Sequence, residues 1–141
     1  MRHYTTIEQS RKLFELGLDS DTADMIWTTD MADNFFDYPT LDWRPIKEYI
    51  NGKDNLPCWS LGALLEVMPD RIWGPCDDYG ESCVHELVFK ALGSTIEYEG
   101  ILVSDYRLSS AWFKQETDNL IDIFYDMVVW LLENEYIKKG E

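Results

Sequence analysis

Residues 118–134, DNLIDIFYDMVVWLLEN, contain the strongest structural signal in the chain. Apolar side chains recur there at intervals of three and four residues, which is typical of one face of an amphipathic helix. This apolar stripe consists of Ile121, Phe124, Val128, Leu131 and Leu132, and it is widened by Leu120, Met127 and Trp130. We predict a helix that begins after a cap at Thr117 or Asp118 and ends at Asn134 in the left-handed conformation.

The residues before this helix predict the surface that it covers. Residues 84–92, 95–98 and 101–106 are rich in Val, Ile, Tyr and Phe, and glycine-containing pairs separate them. This pattern favours an antiparallel meander of two or three strands, against which a wide apolar helix face can pack. Because apolar and polar residues alternate imperfectly, a helix over residues 83–92 stays an alternative.

A first helix is expected near the start of the chain. Thr6 and Gln9 match a T-x-x-Q capping box. Gly17 supplies the left-handed stop that ends a helix over residues 7–16.

A second, middle helix is expected over residues 56–69, where leucines recur at helical spacing. Pro57 suits its first turn, and Ser60 is an alternative N-cap. Pro69 ends it, because the residue before a proline avoids the helical region.

Together these elements predict an α+β protein. It has a small antiparallel meander of two or three strands packed against a long C-terminal helix, with an N-terminal helix and a short middle helix. The 141 residues match the size of one domain and contain no repeat or linker, so residues 1–141 are predicted to be a single acidic domain. Residues 19–57 show little periodicity and are predicted to form a long loop whose aromatic rings dock onto the core.

Negative charge dominates the composition. The chain has 27 Asp and Glu against 12 Lys and Arg, a formal net charge of −15. Residues 19–42 contain seven Asp and no Lys or Arg, and residues 116–141 contain seven acids against two lysines. Such a field repels phosphates and anionic lipids, so no direct binding of nucleic acid or membrane is expected. A basic protein is the expected partner, although solubility alone also explains an acidic surface.

The first acidic stretch also carries large aromatic side chains, which are enriched at binding hot spots. We therefore predict a partner-binding surface made of acidic and aromatic residues: Asp19, Asp21, Asp24, Asp30, Asp33, Phe35, Phe36, Asp37, Tyr38, Asp42 and Trp43. The alternative is that most of these rings form the wall of the core, because large exposed apolar patches are rare on monomers.

The sequence predicts a soluble, cytoplasmic protein. Its first residues are amphipathic rather than continuously apolar, which disfavours a signal peptide, and no apolar run is long enough to span a bilayer. Cys58, Cys76 and Cys83 have irregular spacing and an odd count, so they are interpreted as reduced thiols rather than a disulfide framework.

Recognisable catalytic and cofactor motifs are absent from the sequence. Cys58, Cys76, Cys83 and His85 are weak candidates for zinc ligands, because they lack the C-x₂₋₄-C pairs of structural zinc sites. A Cys83–His85 nucleophile also lacks a residue of known position to orient it. We expect no catalytic activity, no cofactor and no bound metal.

Three segments resemble a family of short uncharacterised proteins of gut bacteria, their phages and mobile elements. They are TTIEQSRKLFELGLDSDTADM near residues 5–25, CWSLGALLEVMP at residues 58–69 and DNLIDIFYDMVVWLLENEYI at residues 118–137. The family has no known activity, so the resemblance implies only a context. Accessory proteins in that context often sequester host proteins or small signalling molecules.

The sequence therefore favours a non-catalytic acidic protein that binds or inhibits a basic host protein in the manner of a nucleic-acid mimic. One alternative is a protein that sequesters a small nucleotide-like signal in a pocket between the final helix and the meander. The other alternative is an enzyme that uses carboxylates. Homo-oligomerisation also stays open.

Overall fold

A computed structural model describes residues 2–30, 34–41, 50, 54–75, 82–90, 95–100, 102–103, 106–107, 115–116 and 120–138. Within them the chain is an α+β protein, as predicted. Its helices are α1 (Ile7–Glu15), α2 (Leu61–Val67) and α3 (Leu120–Glu133), with a 3₁₀ turn at Ser20–Thr22. Its strands are β1 (Met25–Thr28), β2 (Thr40–Leu41), β3 (Asn55–Cys58), β4 (Arg71–Pro75), β5 (Ser82–Lys90), β6 (Thr95–Gly100), β7 (Leu102–Val103), β8 (Tyr106–Arg107) and β9 (Gln115–Glu116). None of the helices in these residues is long and apolar enough to cross a membrane.

Helix α1 is capped as the sequence predicts. The Thr6 hydroxyl accepts a hydrogen bond from the Gln9 N–H at 3.1 Å, and the Gln9 side chain accepts one from the Thr6 N–H at 3.0 Å. This capping box satisfies backbone donors that a helix leaves unpaired. Gly17 has a φ of 92°, which costs glycine little, and the Leu18 N–H donates back to the Leu13 carbonyl at 3.1 Å.

Residues 19–57 are not one long loop, which corrects the prediction. They include β1, β2 and most of β3, which form an antiparallel sheet in the order β2–β1–β3. The residues of β1, MIWT, include the β-branched and aromatic types that suit a pleated surface. The sequence pattern misses this sheet because its strands have only two to four residues and pair with partners distant in sequence.

The middle helix is shorter than predicted, because β3 occupies the place of its first turn. Pro57 lies in β3, an outer strand of the described sheet, where a missing N–H is tolerated. The alternative prediction, that Ser60 is the N-cap of this helix, is confirmed. The Ser60 hydroxyl accepts a hydrogen bond from the Ala63 N–H at 3.2 Å and caps α2. Met68 is extended before Pro69, so the helix ends there as predicted.

The predicted meander is the centre of a larger antiparallel sheet with the order β4–β5–β6–β9. Because β5 spans Ser82–Lys90, the alternative of a helix over residues 83–92 is wrong. Two of the two or three predicted strands, β5 and β6, pair with each other. Within residues 101–106, the strand β7 pairs with β8 in a separate two-stranded ribbon and is not a third strand of this sheet.

Helix α3 provides the largest share of the main core, which confirms its predicted apolar face. Its buried side chains are Ile121, Ile123, Met127, Val128, Leu131 and Leu132. They pack in one cluster with Leu13, Leu64 and Ile72 from α1, α2 and β4. Burial of such a side chain contributes about 1.5–3 kcal/mol. Leu120 is 40% exposed, so the stripe is narrower than predicted at its start. The predicted caps at Thr117 and Asp118 lie outside the described residues.

The end of α3 differs from the prediction by one residue. Glu135, not Asn134, has the left-handed conformation, with a φ of 62°. The Glu135 N–H donates to the Leu132 carbonyl at 3.2 Å, and the Tyr136 N–H donates to the Leu131 carbonyl at 2.8 Å. These two bonds form a Schellman motif, in which Asn134 is the C-cap and Glu135 follows it in the left-handed conformation.

Candidate binding surface

The outer edge of the small sheet carries apolar and acidic side chains together. Residues 34–41 run beside β1 and end in β2, and we call them the acidic–apolar segment. Its first residue, Asn34, is bonded to Asp30: the Asp30 carboxylate accepts from the Asn34 N–H at 3.1 Å, and the Asp30 N–H donates to the Asn34 carbonyl at 2.8 Å. Phe35 then pairs with Thr29. The backbone of the segment is therefore held in place by β1.

Three large side chains of this segment face solvent: Phe36, Tyr38 and Leu41 are 48%, 74% and 77% exposed. Pro39, which lies between Tyr38 and Leu41 in the sequence, is buried and anchors the segment to the protein. Exposed apolar residues are ordinary when scattered, but a concentration of them indicates an interaction site. Leu41 was not among the predicted residues, because a leucine without periodic neighbours gives no surface signal in a sequence.

The other aromatic residues of this region belong to the core. Trp27 is 5% exposed, and its indole N–H donates to the Thr5 carbonyl at 3.2 Å. Phe35 is half-buried, and the Arg11 guanidinium lies 5.9 Å from the centroid of its ring. The expectation that the rings form the core wall is therefore correct for Trp27 and partly correct for Phe35.

The predicted acidic residues divide into structural and exposed groups. The Asp19 carboxylate accepts from the Asp21 N–H at 3.0 Å and caps the 3₁₀ turn. The Asp24 carboxylate accepts from the Ser60 N–H at 3.0 Å and from the Ser60 hydroxyl, so it fixes the start of α2. Asp21 and Asp37 are exposed, and neither forms an ion pair with a cation among the described residues. Asp37 lies within the acidic–apolar segment itself.

Some predicted site residues are not placed by the structure. Asp33, Asp42 and Trp43 lie outside the described residues, as does the zinc candidate Cys76. Their predicted roles stay predictions.

The second acidic stretch, residues 116–141, is partly neutralised by Arg2 near the start of the chain. The Arg2 guanidinium donates to the Asp122 carboxylate at 2.8 Å, and the Gln9 amide donates to the same oxygen at 2.8 Å. Burial raises the pKa of the Asp126 carboxyl, and the charge of Asp122 raises it further. This part of α3 serves to hold the N-terminal residues, so it is a weaker candidate for a partner surface.

Cys58 is a buried core residue. It has no exposed surface, and its thiol lies 3.6 Å from the Thr5 hydroxyl. Burial raises the pKa of the Cys58 thiol to about 11, which disfavours the thiolate that binds metals or acts as a nucleophile. Cys83 and His85 are placed only as backbone positions in β5. Among the side chains that the structure describes, no three His, Cys, Asp or Glu converge as metal ligands.

A second surface feature lies beside β4. A cavity of about 670 Å³ is lined by Leu65, Asp70, Arg71, Glu86 and Leu87. It lies between the end of α2 and the β4–β5 pair, whereas the small-molecule alternative assumes a pocket between α3 and the meander. The Arg71 guanidinium is 3.2 Å from the Glu86 carboxylate. The sequence gives no signal for this cavity because its lining comes from three separate segments.

No family model matches this chain, and neither curated proteins nor solved structures show a significant similarity to it. The resemblance to short bacterial and phage proteins stays a prediction. Function has to be inferred from the two surfaces themselves.

Proposed function

We propose that this chain is a non-catalytic acidic binding protein that contacts a basic protein partner through the acidic–apolar segment. The observation that carries the proposal is the exposure of Phe36, Tyr38 and Leu41 beside the exposed carboxylate of Asp37. The net charge of −15 gives the whole molecule a field that attracts cations.

The two kinds of side chain have separate tasks in such a contact. Full burial of a large apolar side chain contributes about 1.5–3 kcal/mol, so Tyr38 and Leu41 supply affinity. The carboxylates accelerate encounter with a basic surface and disfavour acidic competitors. Tyrosine is also among the residues most enriched at hot spots.

The distribution of perturbed carboxylates favours binding over catalysis. Catalytic carboxyl groups often have a raised pKa and lie in a cleft. Burial raises the pKa of the Asp126 carboxyl on α3, and Asp126 does not line the cavity beside β4. We therefore prefer binding to carboxylate catalysis as the proposed function.

Affinity capture tests the proposal. The tagged wild-type protein and a Tyr38→Ser/Leu41→Ser variant are incubated with an extract of the source cells, and captured proteins are quantified by mass spectrometry. Both side chains are largely exposed, so the variant should remain folded. We expect at least one basic protein to be recovered by the wild type and lost with the variant.

The matched control is Leu120→Ser, which removes an exposed leucine from α3. It should retain the partner. A partner that is acidic, or that both variants recover as well as the wild type does, would contradict the proposal. If the partner binds nucleic acid, competition by short duplex DNA would support the more specific form of the proposal, a nucleic-acid mimic.

A further inference from the structure

The cavity beside β4 shares no residue with the acidic–apolar segment. We call it the β4 groove, and it is lined by Leu65, Asp70, Arg71, Glu86 and Leu87. Its volume of about 670 Å³ lies within the range of roughly 300–1,000 Å³ that is common for binding clefts. Leu65 is 41% exposed. The groove thus offers space and apolar contact for a large side chain.

Trp73 adds an exposed apolar ring on the opposite face of β4 from Leu87, beside the groove rather than within its lining. It is 67% exposed and lies two residues after Arg71, so both occupy the same face of the strand. Ile72 between them is 4% exposed and belongs to the main core. An exposed tryptophan on the solvent face of a strand is the side chain most enriched at binding hot spots.

The charges around the groove favour a cationic partner. Glu86 is paired with Arg71 at 3.2 Å, but both side chains are about half exposed or more, at 49% and 67%, so solvent screens this ion pair. Asp70 adds a further carboxylate to the lining. Among the charged residues of the lining, the two carboxylates of Asp70 and Glu86 therefore outnumber the single cation of Arg71.

The backbone of β4 can also take part, because β4 is the outermost strand of the described sheet. The Leu87 N–H donates to the Asp70 carbonyl at 2.9 Å. Bonding alternates along an antiparallel pair, so the backbone groups of Arg71 and Trp73 point away from β5. No described strand pairs with that side, and such an edge accepts an extended segment.

We propose that the β4 groove binds an extended segment of a protein partner in which a large apolar side chain lies next to a lysine or arginine. The apolar side chain contacts Leu65 and Leu87, the cation pairs with Glu86, and the backbone pairs beside Trp73. This site goes beyond the proposed function, which concerns a different surface.

Peptide titration followed by NMR tests this site. The probe is a short peptide of alternating lysine and valine with one central phenylalanine, and the matched probe has glutamate in place of each lysine. Amide signals of the ¹⁵N-labelled full chain report where each peptide binds. We expect the lysine peptide to shift the signals of Arg71, Ile72, Trp73, Glu86 and Leu87, and the glutamate peptide to leave them unchanged.

Two matched variants test the apolar contact. Leu65→Lys and Leu120→Lys change leucines with 41% and 40% exposure, so they add the same charge at equally exposed positions. We expect Leu65→Lys to weaken binding at the groove by about tenfold or more, and Leu120→Lys to weaken it by less than about twofold. Trp73→Ala provides a second test without a change of charge, and it should also weaken binding.

The outcomes separate this site from the proposed function. Shifts confined to residues 34–41 would overturn the groove proposal while supporting the acidic–apolar segment. Equal binding of both peptides at the groove, equal effects of the two lysine variants, or no shifts at the groove residues would also overturn it. A Tyr38→Ser/Leu41→Ser variant should bind the lysine peptide at the groove as the wild type does.

Discussion

At the scale of single residues, the same side chain has different tasks in different surroundings. Asp24 and Asp37 are both exposed aspartates of the first acidic stretch. The Asp24 carboxylate accepts from the N–H and hydroxyl of Ser60, whereas Asp37 forms no ion pair with any described cation. We therefore expect Asp24→Ala to lower the free energy of unfolding by about 1–2 kcal/mol, and Asp37→Ala to change it by less than about 0.5 kcal/mol.

Urea denaturation of both variants measures this difference. The two substitutions remove the same charge, so the change in net charge cancels between them. Equal stabilities would contradict the structural role of Asp24 at the start of α2.

Cys58 should give the protein a specific pH dependence. Burial raises the pKa of the Cys58 thiol from 9.0 to about 11. Between these values the unfolded thiol ionises while the folded thiol keeps its proton, so ionisation favours the unfolded state. The stability that the protonated thiol contributes is complete below pH 9.0 and is lost as the pH rises towards 11.

A Cys58→Ala variant isolates this effect, because the other titrating groups are common to both proteins. We expect the difference in unfolding free energy between wild type and variant to fall by about 2 kcal/mol from pH 9 to pH 11. Thermal or urea unfolding across this range provides the measurement. A difference that is constant with pH would contradict the burial of this thiol.

At the scale of elements, the end of α3 contains an unfavourable backbone conformation. Glu135 has a φ of 62°, which is strained for residues with a side chain and easy for glycine. Glu135→Gly should raise the free energy of unfolding by about 0.5–1 kcal/mol, because relief of this strain outweighs the added freedom of the unfolded chain.

Asn134→Gly is the matched control for this variant, and it should not stabilise the protein. Asn134 precedes the left-handed residue, and its side-chain amide donates to the Trp130 carbonyl at 2.9 Å. If Asn134→Gly stabilised the protein as much as Glu135→Gly, the placement of the left-handed residue would be wrong. Calorimetry of both variants decides between the two positions.

Helices were more predictable than short strands for a physical reason. The caps of α1 and the apolar face of α3 depend on residues three or four apart, which the sequence displays directly. The pairing of β1 with β2 and β3 depends on residues distant along the chain. Local spacing predicts a helix at Leu56 and Pro57, which lie in β3, because it contains no information about such distant partners.

At the scale of the whole molecule, the net charge was the easiest property to predict from the sequence. The roles of the individual charged residues were the hardest to predict. The net charge of −15 follows from composition alone. The sequence could not show that Asp24 holds α2 or that Arg2 neutralises Asp122, because both contacts join distant segments. Phe36, Asp37 and Tyr38 were predicted and are exposed, whereas Leu41 and the β4 groove were not predicted.

The central claim is that the exposed carboxylates and apolar side chains of residues 34–41 act together on a basic partner. The most direct measurement is the dissociation constant of the captured partner across a salt series, for the wild type and for Asp37→Asn. We expect the wild-type complex to weaken steeply between roughly 50 and 500 mM salt, because screening shortens the reach of the charges. Asp37→Asn should bind more weakly at low salt and depend less on salt. Affinities that do not change with salt, or that are the same for both proteins at every salt concentration, would contradict the claim.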